Sequence, residues 1–392
     1  MIFQPELETM SRDELEWLQA ERLRERFDVE RNALHEQPFT TKSDLRDAYP
    51  FGLLRVPLDE CVRIHASSGT RGKATVVAYT RNDLALWADC CARAIAAAGG
   101  GPGTIVHIAY GYGLFTGGLG LHYGAERLGC TVVPASSGNT PRQAQLLADL
   151  GAEILCCTPS YALAIADHVE DPARLRLRAG VFGAEPWTEQ IRGAIEEALN
   201  LTALDIYGLS EIVGPGVSSE CIEGLRGAHV NEDHFLVEAV DPDSGAPVPD
   251  GEVGELVFTT LTKEALPLLR YRSGDLGSLS REPCPCGRTF ARMARVVGRT
   301  DDMLIIRGVN VFPSEIERVL LALPGLEPHY QLVVERPGRL DELTVQIEGV
   351  VESDPVREQL EHALGLSARV EVLPAGSIPR SEGKALRVLD KR

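Results

Sequence analysis

Residues 65–208 alternate short apolar runs with helical patterns, and few architectures accept that alternation. The apolar runs fall at 105–109, 130–133, 154–157, 180–182 and 204–207. Helix starts lie between them: Thr80 with Asp83 three residues on, and Thr140 followed by Pro141 at the first helical position. Strand and helix in succession predict an α/β fold, a large N-terminal domain whose mainly parallel sheet is flanked by helices.

The pattern changes further on. Over 235–279 short strands are broken by Asp241-Pro242-Asp243-Ser244-Gly245 and Pro249-Asp250-Gly251, turn sequences that predict antiparallel β structure. A β subdomain is expected at about 217–298. After Arg299 a smaller α+β unit begins, with a strand at 303–306, a helix from Ser314, a hairpin across 331–348 turned at Pro337-Gly338, and a helix after Ser353. The predicted domains are therefore 1–300 and a C-terminal domain, 301–392. Upstream, Ser11-x-x-Glu14 is a capping box for a surface helix to about Arg24, with no chemistry in it.

Composition closes off several function classes. A formal net charge of −18 argues against general nucleic-acid binding, which needs clustered Lys and Arg. No stretch approaches the ~20 continuous apolar residues of a membrane helix. The first fourteen residues are acidic rather than basic and then apolar, so the expected location is the cytoplasm. Nine cysteines is an odd number, and the doublets Cys90-Cys91 and Cys156-Cys157 fall in predicted helix and strand as small hydrophobes, so no disulfide framework is expected.

Five segments carry chemistry. Ala66-Ser67-Ser68-Gly69-Thr70-Arg71-Gly72-Lys73 combines hydroxyls, two glycines and two cations, which suits a polyphosphate and equally a surface turn. It is not a Walker A loop, which would need glycine at 67 and Ser or Thr at 74, where this chain has Ser67 and Ala74. Asp205-Ile206-Tyr207-Gly208-Leu209-Ser210-Glu211 ends a predicted strand, where ligands of open α/β sheets bind. Tyr207 offers a stacking face and Glu211 an oxygen for Mg2+, the plain alternative being a strand-end turn with a solvated glutamate. Tyr271-Arg272-Ser273-Gly274-Asp275 supplies a carboxylate able to accept both hydroxyls of a ribose. Residues 298–308 lie at the expected domain boundary, and Ile378-Pro379-Arg380-Ser381-Glu382-Gly383-Lys384 presents one lysine where lysine is ordinarily surface charge.

In this order and spacing the five segments resemble the adenylate-forming superfamily of acyl-CoA synthetases and peptide-synthetase adenylation domains. Thr40-Thr41-Lys42-Ser43-Asp44-Leu45-Arg46, Tyr110-Gly111-Tyr112-Gly113-Leu114-Phe115-Thr116-Gly117-Gly118, Phe182-Gly183-Ala184-Glu185-Pro186-Trp187 and Arg307-Gly308-Val309-Asn310-Val311-Phe312-Pro313 resemble one branch, the phenylacetate-CoA ligases. The resemblance implies ATP-dependent adenylation of a small aryl carboxylic acid, then thioester formation with coenzyme A. It implies that Ser67, Ser68, Gly69, Thr70 and Lys73 cradle the β- and γ-phosphates, that Ala184, Glu185 and Pro186 line the nucleotide and acyl site, and that Tyr207 flanks the adenine. Glu211 would bind Mg2+ and Asp275 the ribose hydroxyls, with Asp205, Gly208, Ser210 and Arg299 in the same nucleotide-binding set. Tyr110, Tyr112 and Phe115, with Gly183 and Pro215, would form the aryl-acid pocket. Lys384 would be the catalytic lysine of the first half-reaction, acting with Glu211, and Asp301 the hinge on which the mobile C-terminal domain turns.

Cys221, His229, Cys284 and Cys286 are soft ligand types, and Cys284-Pro285-Cys286-Gly287 is a tight C-x-C turn. They suit a closed structural Zn2+ site, with His234 as the competing histidine and four reduced side chains in β turns as the alternative. Some phenylacetate-CoA ligases are similar in having Cys and His at such positions. The chain departs from that branch at Arg71 and Ala74, where its members usually carry Thr and Pro, and in a shorter segment before Thr40. Two other functions stay open, delivery of the acyl group to a carrier protein or an amine, and nucleotide binding without catalysis. A homodimer is the default oligomer.

Overall fold

The computed structural model describes residues 1–67, 74–300, 304–307, 309–337, 340–380 and 386–392. Helices α1 (Pro5–Glu8), α2 (Arg12–Phe27) and α3 (Lys42–Asp47) open the chain. The Ser11–Glu14 capping box forms as the sequence predicts, and α2 continues to Phe27. A second box, Thr41 with Asp44, opens α3. Strands β1 (Arg63–Ala66) and β2 (Val76–Tyr79) pair antiparallel on either side of the glycine- and hydroxyl-rich segment.

The alternation then appears in full: α4 (Arg81–Ala97), β3 (Ile105–Ile108), α5 (Gly117–Arg127), β4 (Thr131–Val133), α6 (Thr140–Asp149), β5 (Ile154–Cys157), α7 (Pro159–Ala166), β6 (Ala179–Gly183), α8 (Glu189–Leu199) and β7 (Thr202–Leu209). Capping explains where the helices begin. Thr80 and Asp83 close a box at α4, and Thr158 and Thr188 accept from backbone amides at α7 and α8.

There follow β8 (Gly214–Ser219), β9 (Ala228–Val230), β10 (Phe235–Val240), β11 (Gly254–Thr260), β12 (Tyr271–Gly277), β13 (Leu279–Ser280), β14 (Arg292–Met293) and β15 (Gly298–Arg299). The main sheet has nine strands in the order β13-β14-β9-β8-β7-β6-β5-β3-β4, and only the run from β4 to β7 is parallel. Strands β8, β9, β14 and β13 extend it antiparallel. Part of the region expected to form a separate β subdomain therefore completes the main sheet. The second sheet is four-stranded and antiparallel, in the order β10-β11-β12-β15.

Both faces of the parallel sheet are buried. Trp87, Cys90 and Ile95 pack with Val106, Ile108, Cys156, Val181, Leu204 and Ile206 on one face, while Tyr161, Ile191 and Ile195 pack with Leu155, Cys157, Phe182 and Ala203 on the other. The period of two along β5 thus sends Cys156 and Cys157 to opposite cores as small apolar residues. All nine cysteines are reduced.

The C-terminal part carries β16 (Leu304–Ile306), β17 (Val309–Val311), α9 (Pro313–Leu321), β18 (Leu326–Glu335), β19 (Glu342–Gly349), α10 (Ser353–Leu364), β20 (Arg369–Leu373) and β21 (Val388–Asp390). Its sheet, β20-β19-β18-β21, has its own core built from Leu332, Val334, Val345 and Ile347 against Ile316 and Leu360. The expected hairpin is present as β18 and β19; Met303 and Gly338 lie outside the described residues. No helix among the described residues is long and apolar enough to cross a membrane.

Candidate active site

The C-terminal ends of β3, β6 and β7 gather most of the residues singled out in the sequence. Tyr207 donates its hydroxyl to Asp275 Oδ2 at 2.6 Å, and its ring stacks on Phe258 at 5.7 Å. Burial and the adjacent carboxylate push the Tyr207 hydroxyl up, so it stays protonated and donates. The strand register sets Asp275 opposite Arg299, whose guanidinium bonds the other carboxylate oxygen and donates to Ser273 O at 3.1 Å. A buried carboxylate is thereby fixed between a phenol and a guanidinium beside the tyrosine face.

Glu211, four residues past Tyr207, is almost fully buried, and its Oε1 lies 3.4 Å from Tyr271 Oη and 4.0 Å from Lys42 Nζ. Lys263 Nζ donates to Glu211 O at 3.0 Å and stands 4.9 Å from the centre of the Tyr79 ring. Burial lowers the Lys263 ammonium to about 8. Tyr79 donates to Ser210 O at 3.2 Å, and Ser210 Oγ lies 3.3 Å from Thr116 Oγ1. The roles of Lys42, Tyr79, Lys263 and Tyr271 around Glu211 were not read from the sequence. Two signals were available: Lys42 lies within a branch motif already noted, and Lys263 is a lone cation after the apolar run of β11.

At the aryl-acid side, Tyr110 donates to Gly183 O at 3.3 Å and the Phe115 ring lies 6.3 Å from that of Tyr110. Gly183 is required by close approach, since a Cβ there would stand 2.0 Å from Ile206 O of the neighbouring strand. Ala184 follows at φ +73°, a left-handed conformation unusual for alanine, and Glu185 then caps α7 by accepting from Ser160 N at 2.7 Å. Such backbone outliers concentrate at functional sites. Pro186 follows in the same loop. Tyr112 bonds His122 of α5 at 3.1 Å. Pro215 pairs with Gly208 on the β7–β8 ladder, and its carbonyl accepts from Trp87 Nε1 at 2.9 Å.

Ser67 closes the base of the phosphate-loop candidate, donating its amide to Thr75 O at 2.9 Å and accepting from Thr75 N at 3.0 Å. Ser68, Gly69, Thr70, Arg71, Lys73, Asp301 and Lys384 lie outside the described residues.

Asp205 is engaged elsewhere than the Tyr207–Asp275 pair. Its amide donates to Glu220 at 2.8 Å, and its carboxylate is 3.9 Å from Arg295 Nε. Burial and the Glu220 charge raise the Asp205 carboxyl to about 6 against the partial offset of Arg295. A folded-state value above the ordinary one means that the folded chain holds this proton more tightly, so stability from this group falls as pH rises from about 4 through about 6. Asp205→Asn is therefore expected to be more stable than wild type by about 2 kcal/mol at pH 8, the gap closing below pH 4 in urea unfolding curves.

Cys221, His229, Cys284 and Cys286 are brought together, with ligand atoms all within 4.8 Å of one another. His234 is not part of this cluster; its Nδ1 is 2.9 Å from Thr262 Oγ1 and its Nε2 is 3.3 Å from Asp233.

The sequence matches the family model described as AMP-binding enzyme over residues 9–261, and the one described as AMP-binding enzyme C-terminal domain over residues 308–392. The chain belongs to the AMP-binding enzymes. It is 52% identical over 444 aligned positions to the phenylacetate-coenzyme A ligase of Thermus thermophilus, covering 100% of each chain. It is 50% identical to that of Escherichia coli, covering 98% of this chain and 97% of that one. Within the family it therefore stands in the phenylacetate-coenzyme A ligase branch. The crystal structure of 2-hydroxyisobutyryl-CoA ligase in the postadenylation state, with an AMP conjugate bound, has a TM-score of 0.87 at 28% identity, over 99% of this chain and 92% of that one. The same enzyme with CoA in its thioesterification state scores 0.70 at 29% identity, over 98% and 91%. One enzyme in two states gives two scores, so the difference reports how its parts are arranged.

Proposed function

We propose that this chain is a cytoplasmic, AMP-forming aryl-CoA ligase that adenylates phenylacetate or a closely related acid and passes the acyl group to the thiol of coenzyme A. The observation that carries the reading is the gathering of Tyr207, Asp275, Arg299 and Glu211 at the end of β7, in a chain 50–52% identical to phenylacetate-coenzyme A ligases along its whole length. Nine reduced cysteines suit a reducing compartment.

In this reading adenine lies against Tyr207, backed by Phe258, and Asp275 takes the ribose hydroxyls while Arg299 balances its charge. Glu211 fits Mg2+, because it is a hard oxygen donor at the phosphate end of the site and Lys42 and Tyr271 hold its carboxylate in place. When bound, Mg2+ supplies charge neutralisation for the triphosphate. Ser67, Ser68, Gly69, Thr70 and Lys73 cradle the β- and γ-phosphates, and the acid sits against Tyr110, Phe115 and Gly183, with Tyr112 and Pro215 behind. Lys384 bridges the acid carboxylate and the α-phosphate as charge builds during in-line displacement of pyrophosphate. The domain 301–392 then turns about Asp301 so that CoA can attack, and the likeness to a relative's postadenylation arrangement rather than its thioesterification arrangement supports such a two-position cycle.

Asp275→Asn removes the charge that pairs with Arg299 and weakens acceptance from the ribose. We expect KM for ATP to rise about tenfold with KM for the acid nearly unchanged, read from steady-state kinetics. The activity itself is tested by acid-dependent ATP–pyrophosphate exchange across phenylacetate, benzoates, hydroxylated aryl acids and short aliphatic acids. Exchange should be fastest with an arylacetate, and adding CoA should give its thioester. ATP binding with no exchange for any acid would contradict the catalytic reading, and exchange without thioester formation would move the acceptor to a carrier protein or an amine.

A further inference from the structure

The Cys/His cluster is drawn from three separated stretches: Cys221 follows β8, His229 lies in β9, and Cys284 and Cys286 lie in the loop between β13 and β14. The Sγ atoms of Cys221 and Cys284 are 3.7 Å apart, His229 Nε2 is 3.6 Å from Cys221 Sγ, and it is 3.4 Å from Cys286 Sγ. A tetrahedral Zn2+ with Zn–S of about 2.3 Å and Zn–N of about 2.0–2.1 Å has S···S edges of about 3.8 Å and S···N edges of about 3.6 Å. These three separations match those edges to within about 0.2 Å, and the remaining ligand pairs lie within 4.8 Å.

The surroundings point the same way. Cys221, His229 and Cys284 are buried and Cys286 is half-buried, an enclosure that suits a structural metal. The Cys284-Pro285-Cys286-Gly287 turn is closed by Gly287 N donating to Cys284 O at 3.0 Å, and Arg288 N donates to Cys286 Sγ at 3.4 Å, which fixes where that sulfur points. Gly224 lies so close that a Cβ on it would stand 2.3 Å from Cys284 Sγ and 3.3 Å from Cys221 Sγ. Backbone therefore walls the sulfur pair on that side. Three thiols and an imidazole form a soft donor set that selects Zn2+ over Mg2+ or Ca2+.

The loop that supplies two ligands also grips the start of the chain. Arg288 Nε donates to Glu8 Oε2 at 2.6 Å and Arg288 Nη2 to Met1 O at 2.7 Å. Thr289 donates its amide to Glu8 O at 3.1 Å and its hydroxyl to Met10 O at 2.6 Å. Glu8 in turn accepts from the amides of Phe3 and Gln4 at 2.9 and 2.7 Å, and Gln4 accepts from Arg93 of α4 at 2.7 Å.

We propose that Cys221, His229, Cys284 and Cys286 bind one Zn2+ that staples the 281–291 loop to β9 and, through Arg288 and Thr289, holds residues 1–10 against α4. The metal is structural and takes no part in the chemistry of the acid site. The test uses the full chain, expressed with zinc and desalted. Elemental analysis should find about one zinc per chain, and Co2+ in its place should give thiolate-to-metal charge-transfer absorption. Cys284→Ser/Cys286→Ser should lose the metal. Stripping zinc from wild type with a chelator should lower the melting temperature and speed hydrogen exchange of residues 1–10, whereas the double variant, if folded, should not respond to chelator. A wild-type protein that neither carries nor takes up zinc, or one in which mass spectrometry finds these thiols paired as a disulfide, would overturn the site. Zinc bound at one equivalent with exchange of residues 1–10 unchanged on its removal would overturn the staple.

Discussion

Lys384→Ala should lower acid-dependent ATP–pyrophosphate exchange by about 10²–10³-fold, the loss typical when a single group that stabilises transition-state charge is removed. The melting temperature should stay at the wild-type value. The prediction is specific because, in the proposed mechanism, the lysine acts on the in-line displacement at the α-phosphate and not on the later attack of the thiol. Preformed aryl-adenylate mixed with CoA should therefore still yield thioester at a rate much nearer wild type. Residues 376–380, upstream of Lys384, are held by a buried carboxylate. Glu348, fully buried, accepts from Gly376 N at 2.9 Å, from Ile378 N at 2.5 Å, and from both terminal nitrogens of Arg380 at 3.0 and 2.9 Å. Arg380 also reaches Asp167 of the large domain at 3.8 Å. A second lysine near the end of the chain, Lys391, is paired with Glu335 at 2.8 Å on the surface, and Lys391→Ala serves as the control that should leave both half-reactions intact. Equal loss in the two variants would mean that a general charge effect, not the position of Lys384, sets the rate.

The second large effect is on stability. Arg93 on α4 is almost completely buried and binds Asp233 in two-point fashion, at 2.7 and 2.8 Å, while also donating to Asn231 Oδ1 at 2.9 Å. Removing the guanidinium leaves a buried carboxylate without its main partner, so Arg93→Ala should cost about 3–5 kcal/mol in urea unfolding. Replacing both members by apolar residues, Arg93→Met with Asp233→Leu, should recover much of that loss, because the desolvation cost of the pair is then also gone. The pH dependence carries the sign of the pair. Burial raises the Asp233 carboxyl, but His234 and Arg93 outweigh it and hold the group well below the usual carboxylate range. A folded-state value below the unfolded one gives stability that is present above pH ~4 and is lost as pH falls through the folded value. The gap between wild type and Arg93→Ala should accordingly be full at pH 7 and narrow in strongly acidic buffer.

Much of this architecture could be read before the structure because it rests on local signals. The five apolar runs became β3 to β7, and Ser11, Thr41 and Thr80 cap helices through bonds made within three residues. The extent of the main sheet could not be read that way. Strands β13 and β14 are two residues each, and Arg292-Met293 is a strand because it pairs with His229 and Ala228 on one side and with Ser280 and Leu279 on the other. The same limit applies at the site. Tyr207, Asp275 and Arg299 were legible as motif residues, but the partners of Glu211 come from α3, 169 positions away at Lys42, and from Lys263, 52 positions away. Such long-range juxtapositions carry no periodicity and no local spacing. The sequence places His229 ahead of His234 as the ligand, and strand register brings it beside the cysteines by pairing His229 with Ser219, two residues before Cys221.

The central claim is that one site first makes an acyl-adenylate and then a CoA thioester. A rapid-quench time course with phenylacetate, ATP, Mg2+ and CoA tests it most directly, with products resolved by mass spectrometry. The expected result is phenylacetyl-CoA, AMP and pyrophosphate in equal amounts, with phenylacetyl-adenylate accumulating when CoA is left out. ADP and phosphate as products, or a thioester that forms without any adenylate ahead of it, would contradict that claim.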